Sequence, residues 1–336
     1  MYVSSRSARS FLVNFGHTLS WKIQVSDSLY QQVVSAHRRV LDRLIDRGAV
    51  ERLRSVYVKA TAEVLAKLER LGRGSSSFTA HHLSMALAQL KAGQLYIDDR
   101  LIGELSAVTR EAQQESLHML IRDYRKLENH FSGHAPTLPI EEAARFAGVI
   151  DKSRGSLLRQ HKTSIERYGS VVIDGVQEQM SVSLASGETL DGMIDRVHGV
   201  VKGEFWQAER IGRTESCYAA NVTHSDGIKD IAKEDPGLLQ QWVEFCAPDG
   251  RPLDDRVSVD SIAMMGQVTD PGGVFTMPAT APFPDAKGRT QVPEALVGKS
   301  WAVPPARPNG RETLLPWRKD WGQPGWRYSG GRRKPV

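Results

Sequence analysis

The sequence predicts an α+β protein: a predominantly helical N-terminal body followed by a small loop-rich α+β module with short strands. Three observations predict it. From Asp27 to about Asp235 apolar residues recur at three- and four-residue steps, the period of amphipathic helices. Beyond Asp235 prolines and glycines crowd into "PDGRPLDDR", "TDPGG", "MPATAPFPDAKG" and "VPPARPNG", a density of breakers through which no long helix continues. The 336 residues are 40% hydrophobic and 25% charged, enough apolar material for a substantial core.

Residues 1–26 read as an arm. Their apolar patch is interrupted by Asn14, Gly16 and His17 before it reaches the length of a signal-peptide core. A helical domain is expected over 27–135. Leu29, Val33, Val40 and Leu44, then Leu53, Val56, Val64, Leu68 and Leu71, form the stripe of a helix pair broken or kinked near Gly48. "GRGSSS" (72–77) is a connector, and Thr79 is placed to cap a helix with Leu83, Leu87 and Leu90 that ends at Gly93. A further helix from about Asp98 to Phe131 carries Leu101, Leu105, Val108, Ala112, Met119, Leu120, Tyr124 and Leu127 on one face. "SGHAPTLP" (132–139) marks a domain boundary, with Pro139 suited to a first helical turn. The module, 136–317, starts with helices that pause at Gly155, Gly169 and Ser186-Gly187 and stop at Pro236-Gly237. Short strands follow around "QWVEFC", "GVFTM" and "RETLLPW", the last closed by Pro316. A tail, 318–336, completes the chain.

The net charge of +5 is too small to specify a partner by itself. Cys217 and Cys246 lack zinc or redox spacing and read as buried thiols in a reducing compartment. No stretch has the run of apolar residues that a membrane span needs. Nucleotide-loop, nucleophile-elbow and metalloprotease patterns are absent. His81-His82 diverge on a helix, and His118, His130 and His134 lack a completing cysteine or carboxylate pair, so no metal or cofactor is expected. Asp254-Asp255-Arg256 reads first as a turn with an ion pair. In "RIGRTES" the charged Arg213 and Glu215 flank Thr214 within core-like sequence. They are expected to reach loops packed on that helix, because a buried charge needs a partner. The tail interleaves Arg318, Lys319, Arg327, Arg332, Arg333 and Lys334 with Trp321 and Trp326. That pattern suits single-stranded nucleic acid or an acidic protein groove, and equally a solubilising tail whose tryptophans fold back.

In order, "ERIGRTESCYAAN", "QQWVEFCAPDGRPLDDR", "SIAMMGQV", "GVFTMP" and "PPARPNGRETLLPW" resemble the Mu F-like head morphogenesis proteins of tailed bacteriophages, minor capsid proteins encoded beside the portal. The resemblance covers about 200–317 and rests on Arg213-Thr214-Glu215, Trp242, Asp255-Arg256, Gly266, Phe275, Pro308-Asn309 and Arg311. The family's two closing cysteines are replaced by Gly310 and Glu312, which removes a metal or disulfide role there, and Asp260 and Ser261 stand where its histidine is usual. The resemblance implies a structural rather than enzymatic protein that binds portal or major capsid subunits inside the virion after assembly in the host cytoplasm. The tail would contact DNA or an acidic protein surface. The alternatives are a Mg²⁺-dependent nuclease using Asp254, Asp255 and Glu215, and a stand-alone DNA-binding protein.

Overall fold

The computed structural model describes residues 27–72, 80–133, 142–203, 205–244, 257–308 and 310–321. Helix α1 (Asp27–Asp42) passes through a π-helical segment, Arg43–Ala49, into α2 (Val50–Gly72), with no change of backbone sign at either junction. The kink expected near Gly48 is therefore a local widening of one continuous rod. Helix α3 (Ala80–Ser132) is a single rod of 53 residues, about 80 Å at 1.5 Å per residue. It runs through Gly93, an expected terminus. Helix α4 (Glu142–Ser186) likewise runs through Gly155 and Gly169 and ends where Gly187 turns with φ +66°. Helices α5 (Leu190–Gly203) and α6 (Phe205–Ile231) complete the helical part.

These rods form one helical bundle, so the helical packing crosses the boundary expected at 135/136. Side-chain contacts set the register. Gln113 reaches Thr223 and Tyr124 reaches Asp235, so α3 and α6 run parallel. Gly169 of α4 lies against Gln94 and Asp98 of α3, and Ser153 meets Gln113, so α4 runs antiparallel to α3. Gly169 is required by that approach, since a Cβ there would lie 2.7 Å from Gln94 Nε2. The glycine serves helix contact, not helix termination.

The module sits at the C-terminal end of α3. Strand β1 (Leu238–Val243) is central, between β2 (Val268–Thr269) and β5 (Thr313–Arg318), all antiparallel. Strand β3 (Phe275–Thr276) pairs with β4 (Ser300–Trp301). A short helix, α7 (Val259–Met264), is wholly buried. Pro316 does not close β5; the strand continues to Arg318 because β5 is an edge, where a missing N–H breaks no central ladder. The apolar core divides into two clusters, one beneath the sheet and one around α5.

Candidate functional site

Three motif residues, Trp242, Gly266 and Phe275, meet at the central strand of the module. Trp242, fully buried on β1, meets Phe275 edge to face with ring centroids 5.2 Å apart, an arrangement that suits their opposed quadrupoles. Gly266 has φ +81°, and its N–H donates to the Trp242 carbonyl at 2.8 Å. A side chain would be strained at that turn. Residues separated by more than twenty positions thus form one packed unit around Trp242.

The closing strand is clamped on its outer edge. Asn221 of α6 donates from Nδ2 to the Glu312 carbonyl at 2.9 Å, and its Oδ1 accepts from the Leu314 N–H at 3.1 Å. One amide side chain stands in for a neighbouring strand and covers the edge. The same Oδ1 accepts from Thr313 Oγ, whose oxygen lies 3.0 Å from His37 Nε2 of α1. His37 Nδ1 lies 3.3 Å from Asp123 Oδ2 as an ion-pair contact without a hydrogen bond, and Arg122 donates twice to Asp123 Oδ1. An acid, an imidazole and a hydroxyl in sequence match the residue types of a hydrolytic triad. Here His37, Asp123 and Thr313 are all buried and the hydroxyl is engaged by Asn221, so the chain of groups braces β5 against the bundle.

Before β5, the Gly310 N–H donates to the Arg307 carbonyl at 3.1 Å in a turn. A Cβ at Gly310 would collide with Glu312 Oε2 and stand 2.6 Å from Pro305 Cβ. Glu312 is wholly buried and accepts from Ser261 Oγ at 2.5 Å; burial pushes its carboxyl above the ordinary range, and nearby Asp260 adds to the effect. Asp260 is held by Arg307 Nε at 3.1 Å. Arg311 reaches back to Asp42 of α1, Nη1 to Oδ1 3.7 Å. Cys217 lies beneath, its thiol 3.5 Å from the Glu312 carbonyl and driven by burial well above the usual thiol range, which makes it unreactive.

Glu215 binds α4 and not the module. Glu215 accepts from Gln160 Nε2 and Ser164 Oγ of α4, both at 2.8 Å, and burial raises its carboxyl. Arg213 lies 3.8 Å from Glu209 Oε2, and Thr214 Oγ donates to the Arg210 carbonyl. The reason is helical phase. At about 100° per residue, Glu215 points some 200° away from Cys217, which faces the sheet. The residues that pin β5 are Cys217 and Asn221, within the quoted "TESCYAAN" but not singled out there. An asparagine in an otherwise small apolar helical turn was the available signal.

Arg318 and Trp321, expected in the tail, belong to the folded module. Arg318 donates to Asp320 at 2.9 Å and to Asp235, which also accepts from Tyr124. Trp321 is buried, donates from Nε1 to Glu128 at 3.0 Å and stacks on Phe131. Lys319 and Pro308 are exposed. Asp254, Asp255, Arg256, Asn309, Trp326, Arg327, Arg332, Arg333 and Lys334 lie outside the described residues. Among the described residues, no three His, Cys, Asp or Glu side chains group to hold a metal ion, and no helix is long and apolar enough to cross a membrane.

No family model matches the chain, and no solved structure matches it. A curated protein to which it is similar is the trigger factor of Streptomyces avermitilis, 26% identical over 249 residues. The match covers 69% of this chain and 50% of that protein, so the chain spans about half the length of the relative it matches.

Proposed function

We propose that the chain is a structural protein of a tailed-phage head, of the Mu F-like head morphogenesis kind, that acts by adhesion beside the portal within the virion. The observation that carries the reading is the convergence of Trp242, Gly266, Phe275 and Arg311 on one braced module, in the order the resemblance requires. Adhesion has a second support. The large apolar side chains left exposed on the helices, among the described residues, are Val58, Met85, Leu95, Leu158, Val171, Val182 and Trp206. By the bundle register all but Leu158, which lies on α4 between Ser153 and His161, are in the half away from the sheet. That half would dock on portal or major capsid subunits, while the basic segment after Trp321 contacts DNA or an acidic partner surface.

A nuclease is disfavoured because Glu215, one of its required carboxylates, is buried between α4 and α6 and satisfied there. The test is mass spectrometry of purified procapsids and virions of the phage or prophage that encodes the chain. The protein is expected in both at a few copies per head, and in a cross-linked complex with the portal. Its absence from both particles overturns the reading.

A further inference from the structure

Buried polar groups gather where the two apolar clusters of the bundle meet. Gln113 of α3 donates to Ser153 of α4 at 2.8 Å and to Thr223 of α6 at 3.0 Å, in full burial. About two turns further along α4 and α6, toward α5, lie His161 and Glu215, with the ring Nε2 3.9 Å from the carboxylate, and both ring nitrogens of the buried His161 lack a hydrogen-bond partner. The buried Ser216 hydroxyl lacks one as well. The π-helical segment Arg43–Ala49 crosses at the same level, with Ile45 packed in the sheet-side cluster and Ala49 in the α5-side cluster. A layer of incompletely paired polar groups adds little cohesion between the cores above and below it. A π-helical turn is also a weak point in its own rod.

We propose that this belt is a built-in break: the half of the bundle that carries α5 opens as one cooperative unit while the half that carries the sheet stays folded. The order of opening follows from what holds each half. The sheet side is tied across elements by the Asn221 clamp, by Arg318 with Asp235, and by Trp321 stacked on Phe131. The α5 side has no sheet, buries the carboxylate of Asp98 between helices, and carries most of the exposed apolar residues of the helical body. Cooperative units of this kind coincide with separately packed pieces of structure.

Native-state hydrogen exchange of the full chain, followed by mass spectrometry across a guanidinium series, tests it. Peptides from α5, from 86–105 of α3 and from 165–183 of α4 are expected to share one opening isotherm. Their protection should be about tenfold or more below that of peptides from 117–131 of α3, 217–231 of α6 and strands β1 and β5. Replacing the belt by apolar groups of similar size, Gln113→Leu with Ser153→Ala and Thr223→Val, is expected to narrow the gap until the isotherms merge. If the triple variant does not fold, Ser153→Ala alone should narrow it in part. A single isotherm for all helices in the natural protein, or greater protection on the α5 side, overturns the proposal. So does a gap that the belt variants leave unchanged.

Discussion

Replacing Asp98 by asparagine should stabilise the bundle at neutral pH and leave it unchanged in acid. Asp98 is buried where α3 meets α4, and Gln94 donates to its Oδ1 at 2.6 Å. Burial, with Glu166 and Asp99 adding repulsion, raises its carboxyl from 3.8 to about 6. A carboxyl raised in the folded state leaves stability intact below its unfolded value and removes it as pH climbs through the folded one. The loss therefore develops between about pH 4 and 6 and is complete at pH 8. At ~1.4 kcal/mol per tenfold, the displacement corresponds to about 3 kcal/mol, which hydration along the seam reduces to about 1–2 kcal/mol. Asparagine keeps the shape against Gly169 and the acceptor for Gln94, so the charge alone is removed. Urea denaturation of both proteins at pH 8 and pH 3.5 measures this. A higher midpoint at pH 8 with coincident curves at pH 3.5 is expected. An equal gain at both pH values, or a loss at pH 8, would refute burial of charge as the cause.

His161 behaves in the opposite sense: burial lowers it to about 4, so stability is full above its unfolded value near 6.5 and falls as pH drops toward 4. His161→Leu should flatten that limb in melting curves taken across the range. Asn221→Ala strips the Glu312 carbonyl and the Leu314 N–H of their partner and should cost about 2–4 kcal/mol by chemical denaturation. Deleting 322–336 should leave the melting temperature unchanged and weaken DNA binding in a salt-dependent way, whereas deleting from Arg318 removes the seated Trp321 and should cost about 3 kcal/mol or more.

Much of the fold was legible because it depends on local period and punctuation. The stripe from Leu101 to Leu127 is buried as expected, the kink near Gly48 is the π-helical segment, and Gly187 turns the chain after α4. Strands fall at the Trp242, Phe275 and Leu314 runs. What failed was the reading of glycine and proline as stops. Gly169 makes room for another helix, and Pro316 sits on an edge strand; neither neighbour is visible along the chain. The site was legible as a set of residues and not as a set of contacts. Glu215 and Asn221 lie within two turns of each other, yet phase alone sends one to α4 and the other to β5. His37, about 276 positions before its partner Thr313, gave no signal at all.

The departures at Gly310 and Glu312 are coupled, and the coupling can be measured. The Glu312 carboxyl folds back over the Gly310 backbone, held there by Ser261, so it occupies the space that a side chain at position 310 would need. Either residue is explained by the other: a buried carboxyl fits because position 310 has no Cβ, and glycine is required because the carboxyl is there. Gly310→Ala in the natural chain should therefore cost about 2–4 kcal/mol, the range for overpacking a filled core. Glu312→Ala has opposed effects, removing a desolvated carboxyl and leaving Ser261 Oγ with Ser258 as its remaining neighbour, 3.2 Å away. In the Glu312→Ala background the added methyl at 310 meets Pro305 Cβ and the Arg307 carbonyl only. Its cost should fall by about 1–2 kcal/mol, a coupling of the size seen between residues in contact. Denaturation of the two single variants and the double variant closes the cycle. Strict additivity would show that Pro305 and the Arg307 carbonyl alone dictate the glycine, and that Glu312 is incidental to it.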